Sequence, residues 1–189
     1  MKKGIIVVLS GPSGVGKGTV RSYLMQDKSL NLRFSVSMTT RDKRNGEVDG
    51  VDYFFVSQDT FDDAIKNGKL LEYTRFVGHS YGTPKDHVEM LREQGFNVLL
   101  EIETEGAHNV MKHYTHDDYV SIFLTCCSLD ELEKRIRGRR SEPDEVVKQR
   151  LAKAKQELTL ENDYDFVVQN DYPERAANEI GQIIKNHIK

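Results

Sequence analysis

Apolar and polar positions follow two rhythms along the chain. Residues 5–9, Ile-Ile-Val-Val-Leu, form an unbroken apolar run, as expected of a strand buried on both faces of a parallel sheet. Residues 97–102, 120–124 and 165–168 give further strand signals. Residues 17–26 read as a helix. So do residues 129–137, 146–160 and 174–188, whose apolar side chains recur three and four apart. Ser128 suits an N-cap for the helix at 129–137, with Glu131 three residues on completing a capping box. Strands alternating with helices predict βαβ units and an α/β fold, a three-layer core around a parallel sheet.

Two stretches break the rhythm. From about residue 34 to 84, strand signals at 53–56 and 70–77 flank a helix at 60–67, among the turn pairs Asn45-Gly46, Asp49-Gly50 and Asn67-Gly68. This predicts a small inserted β-rich lobe. Residues 138–145 are polar, basic at first, and carry Pro143; they join two helices as a mobile lid would. The chain then divides into a core (1–33, 85–137 and 151–189), a lobe (34–84) and a lid (about 138–150) within one domain.

Composition narrows the picture. Across 189 residues, 30% charged and 38% hydrophobic side chains suit one globular domain. A net charge of -3 speaks against a general nucleic-acid or membrane binder. No apolar run is long enough for a membrane span or a signal-peptide core, so a cytoplasmic location is expected. Cys126 and Cys127 are adjacent, and side chains alternating across a strand are badly placed to bridge. They read as reduced, structural thiols. The six histidines form no metal-ligand spacing.

The first chemistry-bearing motif follows the first strand. Gly11, Pro12, Ser13, Gly14, Val15, Gly16 and Lys17 open a helix, the setting a Walker A loop requires. Glycines let backbone N–H groups curl around a phosphate, the helix N-terminus adds partial positive charge, and Lys17 adds a full one. Position 18 is Gly, with the hydroxyl one later at Thr19. That Gly-Lys-Gly-Thr form is frequent in nucleoside monophosphate kinases and leaves the direct hydroxyl–Mg2+ contact open.

Three further segments carry a resemblance. The first is Ser37-Met38-Thr39-Thr40-Arg41-Asp42-Lys43-Arg44-Asn45-Gly46-Glu47, continuing to Asp52-Tyr53-Phe54-Phe55. The second is Glu72 followed by Gly78-His79-Ser80-Tyr81-Gly82-Thr83. The third is Arg135-Ile136-Arg137-Gly138-Arg139, with Arg150 beyond. With the phosphate loop, in this order and spacing, the chain resembles the guanylate kinase family over nearly its whole length. The resemblance implies a P-loop NTPase core, a GMP-binding lobe and an ATP-covering lid. It implies transfer of a phosphoryl group from ATP to GMP, and to dGMP, with Mg2+, in purine nucleotide metabolism.

Residue by residue, the resemblance assigns ATP to residues 11–19, Arg135 and Asn170. It assigns GMP to Ser37, Arg41, Arg44, Tyr53, Glu72, Tyr81, Thr83 and Glu103. Guanine presents N1–H and a 2-amino group as donors and O6 as acceptor. A carboxylate (Glu72) facing the donors and hydroxyls (Ser37, Thr83) nearby would select it, because an unpaired buried polar group costs about 1–3 kcal/mol. Arg41, Arg44, Tyr53 and Tyr81 would hold the GMP phosphate. Lys17, Arg41, Arg139 and Arg150 would be catalytic, screening repulsion between two anions. Glu101 would meet Mg2+ through water. The family commonly has aspartates where this chain has Glu101 and Glu103, and Gln where it has Glu105. Arg140 replaces a usual glycine. The split between metal and guanine roles stays open, as does the choice of monomer or homodimer.

Three alternatives compete. A sister kinase acting on ribose 1,5-bisphosphate would not need Ser37, Glu72 and Thr83. A phosphopeptide-binding module would have lost the working loop that Lys17 and the glycines preserve. A GTPase would carry an Asn-Lys-x-Asp motif, which is absent. No nucleic-acid or membrane partner is expected.

Overall fold

The computed structural model describes residues 2–76, 78–138 and 144–188. In chain order, β1 (Ile6–Ser10) leads through the glycine loop into α1 (Lys17–Leu24), and β2 (Leu32–Phe34) follows. A second group comprises β3 (Met38–Thr39), β4 (Phe54–Phe55), α2 (Gln58–Lys66), β5 (Leu70–Phe76) and β6 (His79–Pro84). The chain returns through α3 (Lys85–Glu93), β7 (Asn97–Glu101), α4 (Thr104–His113) and β8 (Tyr119–Thr125). It ends with α5 (Leu129–Gly138), α6 (Asp144–Leu158), β9 (Phe166–Gln169) and α7 (Pro173–His187).

The larger sheet has five strands in the order β2-β7-β1-β8-β9, all parallel. Alternation along β1 sorts its side chains between two cores. Val7 and Leu9 join Val20, Leu132, Val147 and Ile180 from the α1, α5, α6 and α7 side. Ile6 and Val8 join Val88, Ala107 and Val110 from the α3 and α4 side. The strand is thus buried on both faces, and its apolar run is continuous rather than alternating. The expected α/β three-layer core is present.

The smaller sheet, β4-β3-β6-β5, is mixed: β3 pairs parallel with β4 and antiparallel with β6, which pairs antiparallel with β5. It occupies the stretch expected to interrupt the core rhythm. Helix α2 begins at an N-cap, Ser57, whose Oγ accepts from the Thr60 N–H at 3.1 Å. Phe61 of α2 is fully buried.

Several elements go beyond the sequence reading. Helices α3 and α4 were not expected, because few of their buried positions are large and apolar. The helix α3 buries Arg92, 2% exposed, which donates to the Gly4 carbonyl at 2.8 Å and pairs with Glu89 and Asp118. The helix α4 buries Gly106 and Ala107. Ser128 caps α5 through the Glu131 N–H at 3.2 Å, while the Glu131 carboxylate accepts from Arg135 at 3.1 Å. Cys126 and Cys127 are free and lie just past β8, so strand alternation is not what separates them. The segment expected as a lid divides: residues 139–143 lie outside the described residues, and Asp144 already begins α6. No helix among the described residues is long and apolar enough to cross a membrane.

Candidate active site

The phosphate loop leaves β1 at its carboxyl end, where open parallel sheets place their ligands. Its glycines are required by geometry. Gly11 has φ +139, and a Cβ there would lie 2.2 Å from the Leu124 carbonyl oxygen. Gly16, at φ +102, packs against Asn170, whose Nδ2 donates to the Val15 carbonyl at 2.7 Å. Arg135 of α5 clamps the same junction, donating through both terminal nitrogens to the Asn170 carbonyl at 3.1 Å and to Val15 O at 3.3 Å. Asn170 and Arg135 thus brace the loop from behind.

A cavity of about 220 Å3 opens over the loop, lined by Gly11, Ser13, Gly14, Lys17, Glu101 and Glu157 among others. The Lys17 ammonium donates to Gly11 O at 2.5 Å and Pro12 O at 3.3 Å. Burial pushes its pKa down, and the charges of Glu101, Glu157 and Glu103 pull back. Arg150 of α6 donates to the Ser13 hydroxyl at 2.8 Å. Thr19 is exposed and is not among the residues that line this cavity.

A second cavity of about 310 Å3 lies between the two sheets, lined by Ser37, Tyr53, Glu72, Thr74, Tyr81 and Glu103 among others. Glu72 of β5 is 7% exposed and accepts from the Thr83 hydroxyl at 2.5 Å. Burial lifts its carboxyl to about 6; the Thr83 bond lowers it in part, and the Glu103 charge raises it further. Gly106 makes room for this carboxylate: a Cβ there would sit 2.5 Å from Glu72 Oε2. At the cavity's outer side the Arg41 guanidinium lies 5.4 Å from the Tyr53 ring centroid. It donates to both carboxylate oxygens of Glu47, at 3.0 and 2.8 Å, a fork suited to a phosphate as well.

Glu101, Ile102 and Glu103 line both cavities. The carboxyl end of β7 is therefore a common wall between them. Most of the residues singled out in the sequence gather at these two cavities. Arg44 is exposed; its backbone N–H donates to the Glu47 carboxylate at 2.8 Å and its carbonyl accepts from the Glu47 N–H at 3.1 Å. Arg139 lies outside the described residues, as does Arg140.

Three participants were missed. Arg21 of α1 places Nη1 3.0 Å from Glu101 Oε2 as an ion pair off the hydrogen-bonding direction, so that oxygen accepts no hydrogen bond. Lys153 of α6 pairs with Glu103 at 2.6 Å. Glu157, 5% exposed, lines the phosphate cavity with Oε2 unpartnered, and burial raises its pKa. Arg150, Lys153 and Glu157 fall at i, i+3 and i+7, one face of α6. That spacing was the available signal, with Glu157 standing out as an acid among the buried positions Val147 and Ala154.

A parallel sheet with a glycine loop and its lysine at the edge of β1 defines a P-loop nucleotide-binding protein of the NTPase core type. The second, carboxylate-bearing cavity narrows the class. A family model described as guanylate kinase matches residues 3–187, and the chain belongs to the guanylate kinase family. It is 50% identical over 182 residues to a guanylate kinase of Mesoplasma florum, covering 96% of this chain and 61% of that protein. It is 50% identical over 184 residues to a guanylate kinase of Mycoplasma mycoides, covering 97% and 61%. The chain thus spans about three-fifths of the length of these curated relatives. The crystal structure of guanylate kinase from Anaplasma phagocytophilum matches with a TM-score of 0.78 at 33% identity, covering all of this chain and 88% of that one.

Proposed function

We propose that the chain transfers the γ-phosphoryl group of ATP to GMP, giving ADP and GDP. The observation that carries this reading is the common wall: a phosphate-loop cavity and a cavity holding the buried Glu72–Thr83 pair meet at Glu101, Ile102 and Glu103. ATP would lie along the loop, with Arg135 and Asn170 at its nucleoside side. GMP would enter the second cavity, its N1–H and amino donors toward Glu72 and Glu103, and its O6 toward the Ser37 hydroxyl. Arg41, Tyr53 and Tyr81 would receive its phosphate, with Arg44 swinging in from the surface.

No general base is needed, because the attacking oxygen belongs to a phosphate already ionised. The protein's work is positioning and charge neutralisation. Lys17 and Arg150 would face the transferred group, joined by Arg139. Glu101 and Glu103 offer hard oxygen ligands beside the phosphate cavity, and no cluster of three or more ligating side chains occurs among the described residues. This fits Mg2+ arriving with ATP and keeping much of its water; it would screen the charge of the transferred phosphate. Residues 34–84 serve as the GMP lobe in this reading and residues 138–150 as the lid, in a cytoplasmic enzyme.

The test is a coupled ADP-release assay with Mg2+ and ATP against GMP, dGMP, AMP, CMP, UMP and ribose 1,5-bisphosphate. Turnover with GMP, or with GMP and dGMP, is expected. Turnover confined to ribose 1,5-bisphosphate, or none in folded protein that binds ATP, overturns the reading.

A further inference from the structure

We propose that Lys153 is a positioning residue for the acceptor base: it holds Glu103 at the wall between the two cavities and thereby sets affinity for GMP. The inference rests on the GMP-kinase reading and extends it to a side chain on the opposite helix.

Glu103 precedes α4 as its N-cap residue, and its carboxylate makes no capping bond. Its oxygen instead takes the Lys153 ammonium at 2.6 Å. Both side chains are nearly half exposed, 46% for Lys153 and 45% for Glu103. Ion pairs that wet add little to folding stability, so the contact matters chiefly for where it holds the carboxylate. That place is decisive, because Glu103 lines both cavities.

Charge explains why a holder is needed. Glu72 and Glu103 share the second cavity, and the Glu103 charge disfavours ionisation of Glu72. Glu101 and Glu157 add two more carboxylates along the phosphate side. An unrestrained Glu103 would swing into solvent, away from these like charges, and leave the base donors unmet. Lys153 opposes that swing. It also stands 3.9 Å from Glu157 and within the field of Lys17, so one ammonium offsets acids in both cavities. The helix that carries it brings Arg150 to Ser13 one turn earlier, which fixes Lys153 relative to the phosphate loop.

The experiment compares the parent with K153M, K153R, E103Q and the K153M/E103Q double variant, measuring KM for GMP, KM for ATP and kcat. Parent turnover of GMP is the check on the reading beneath; without it both proposals fall. With it, K153M is expected to raise KM for GMP about fivefold or more with KM for ATP within about twofold, and K153R to restore the parent value. The double variant should resemble E103Q rather than show summed effects, since one interaction is lost in each. A GMP KM in K153M within about twofold of the parent overturns the inference alone. So does an equal rise for both substrates, failure of K153R to rescue, or additivity in the double variant. Melting curves close to that of the parent exclude misfolding as the cause.

Discussion

Replacing Glu72 by Gln removes a buried charge while keeping the side chain's shape, and it should move stability and function in opposite directions. Glu72 is 7% exposed, and burial lifts its carboxyl from an ordinary 4.5 to about 6. The folded chain therefore holds this proton more tightly than the unfolded chain does. The stabilisation is fully present below the unfolded value and is lost as pH rises through about 6. The gap corresponds to about 2 kcal/mol of cost carried by the ionised site at neutral pH. Gln does not titrate, so it escapes that cost. Its own amide adds a constant penalty at every pH, so the informative quantity is how the melting difference changes. Between pH 4 and pH 7 the difference should move in favour of E72Q by about 4–8 °C for a chain of this size. Over the same substitution, guanine loses an anionic acceptor for two donors, and each such bond contributes about 1.5–3 kcal/mol. The GMP KM should rise about a hundredfold or more while that for ATP stays within about twofold. The assays are thermal melts of the unliganded protein at the two pH values and steady-state kinetics at pH 7. A melting difference that is the same at both pH values would refute the buried-charge argument. Equal increases in both KM values would refute the guanine role.

Three other perturbations probe the surroundings. Gly106→Ala puts a methyl group where Glu72 Oε2 lies 2.5 Å away; the flexible carboxylate must yield, so KM for GMP should rise about tenfold with little change in melting or in KM for ATP. Lys17→Met should lower kcat by at least about a hundredfold, the scale of losing one preorganised charge. Because burial already depresses the Lys17 pKa, the unliganded protein should melt no lower, which calorimetry checks. Arg135→Ala removes the clamp on Val15 and Asn170; KM for ATP should rise about tenfold, and KM for GMP far less.

The core was legible where one physical signal dominated. Residues 5–9 form a short, β-branched apolar run ended by a glycine loop, which fits a strand buried on both faces; the loop's glycines then follow from backbone sterics at Gly11 and Gly16. Legibility failed where burial is achieved by unusual means. The helix α3 seats a charged Arg92 against Gly4 O, Glu89 and Asp118, a pattern no hydrophobic period reports. The strand β3 is two residues long, too short for alternation to register, whereas β4 falls within the strand signal at 53–56. At the site, residues belonging to recognisable segments were singled out from the sequence, whereas Arg21, Lys153 and Glu157 were not. Arg21 and Lys153 meet Glu101 and Glu103 across 50 or more residues, and Glu157 joins the phosphate cavity only through the fold.

Those three side chains bear on how a site proposed for two anions can carry so many acids. Glu72, Glu101 and Glu103 come from the small sheet and the end of β7, and Glu157 from α6. The cations come from two helices, Lys17 and Arg21 from α1, Arg150 and Lys153 from α6. Without substrate, charges are matched within the protein: Arg21 with Glu101, Lys153 with Glu103, Arg41 with Glu47. The Lys17 ammonium rests on loop carbonyls. A phosphate reaching Arg41 or Lys17 therefore exchanges one anionic or carbonyl partner for another, which limits the reorganisation that binding demands. The acids have a second consequence. In the proposed reading, a GMP phosphate turned inward would meet the buried Glu72 carboxylate, so like-charge repulsion would favour the base inward and the phosphate toward Arg41.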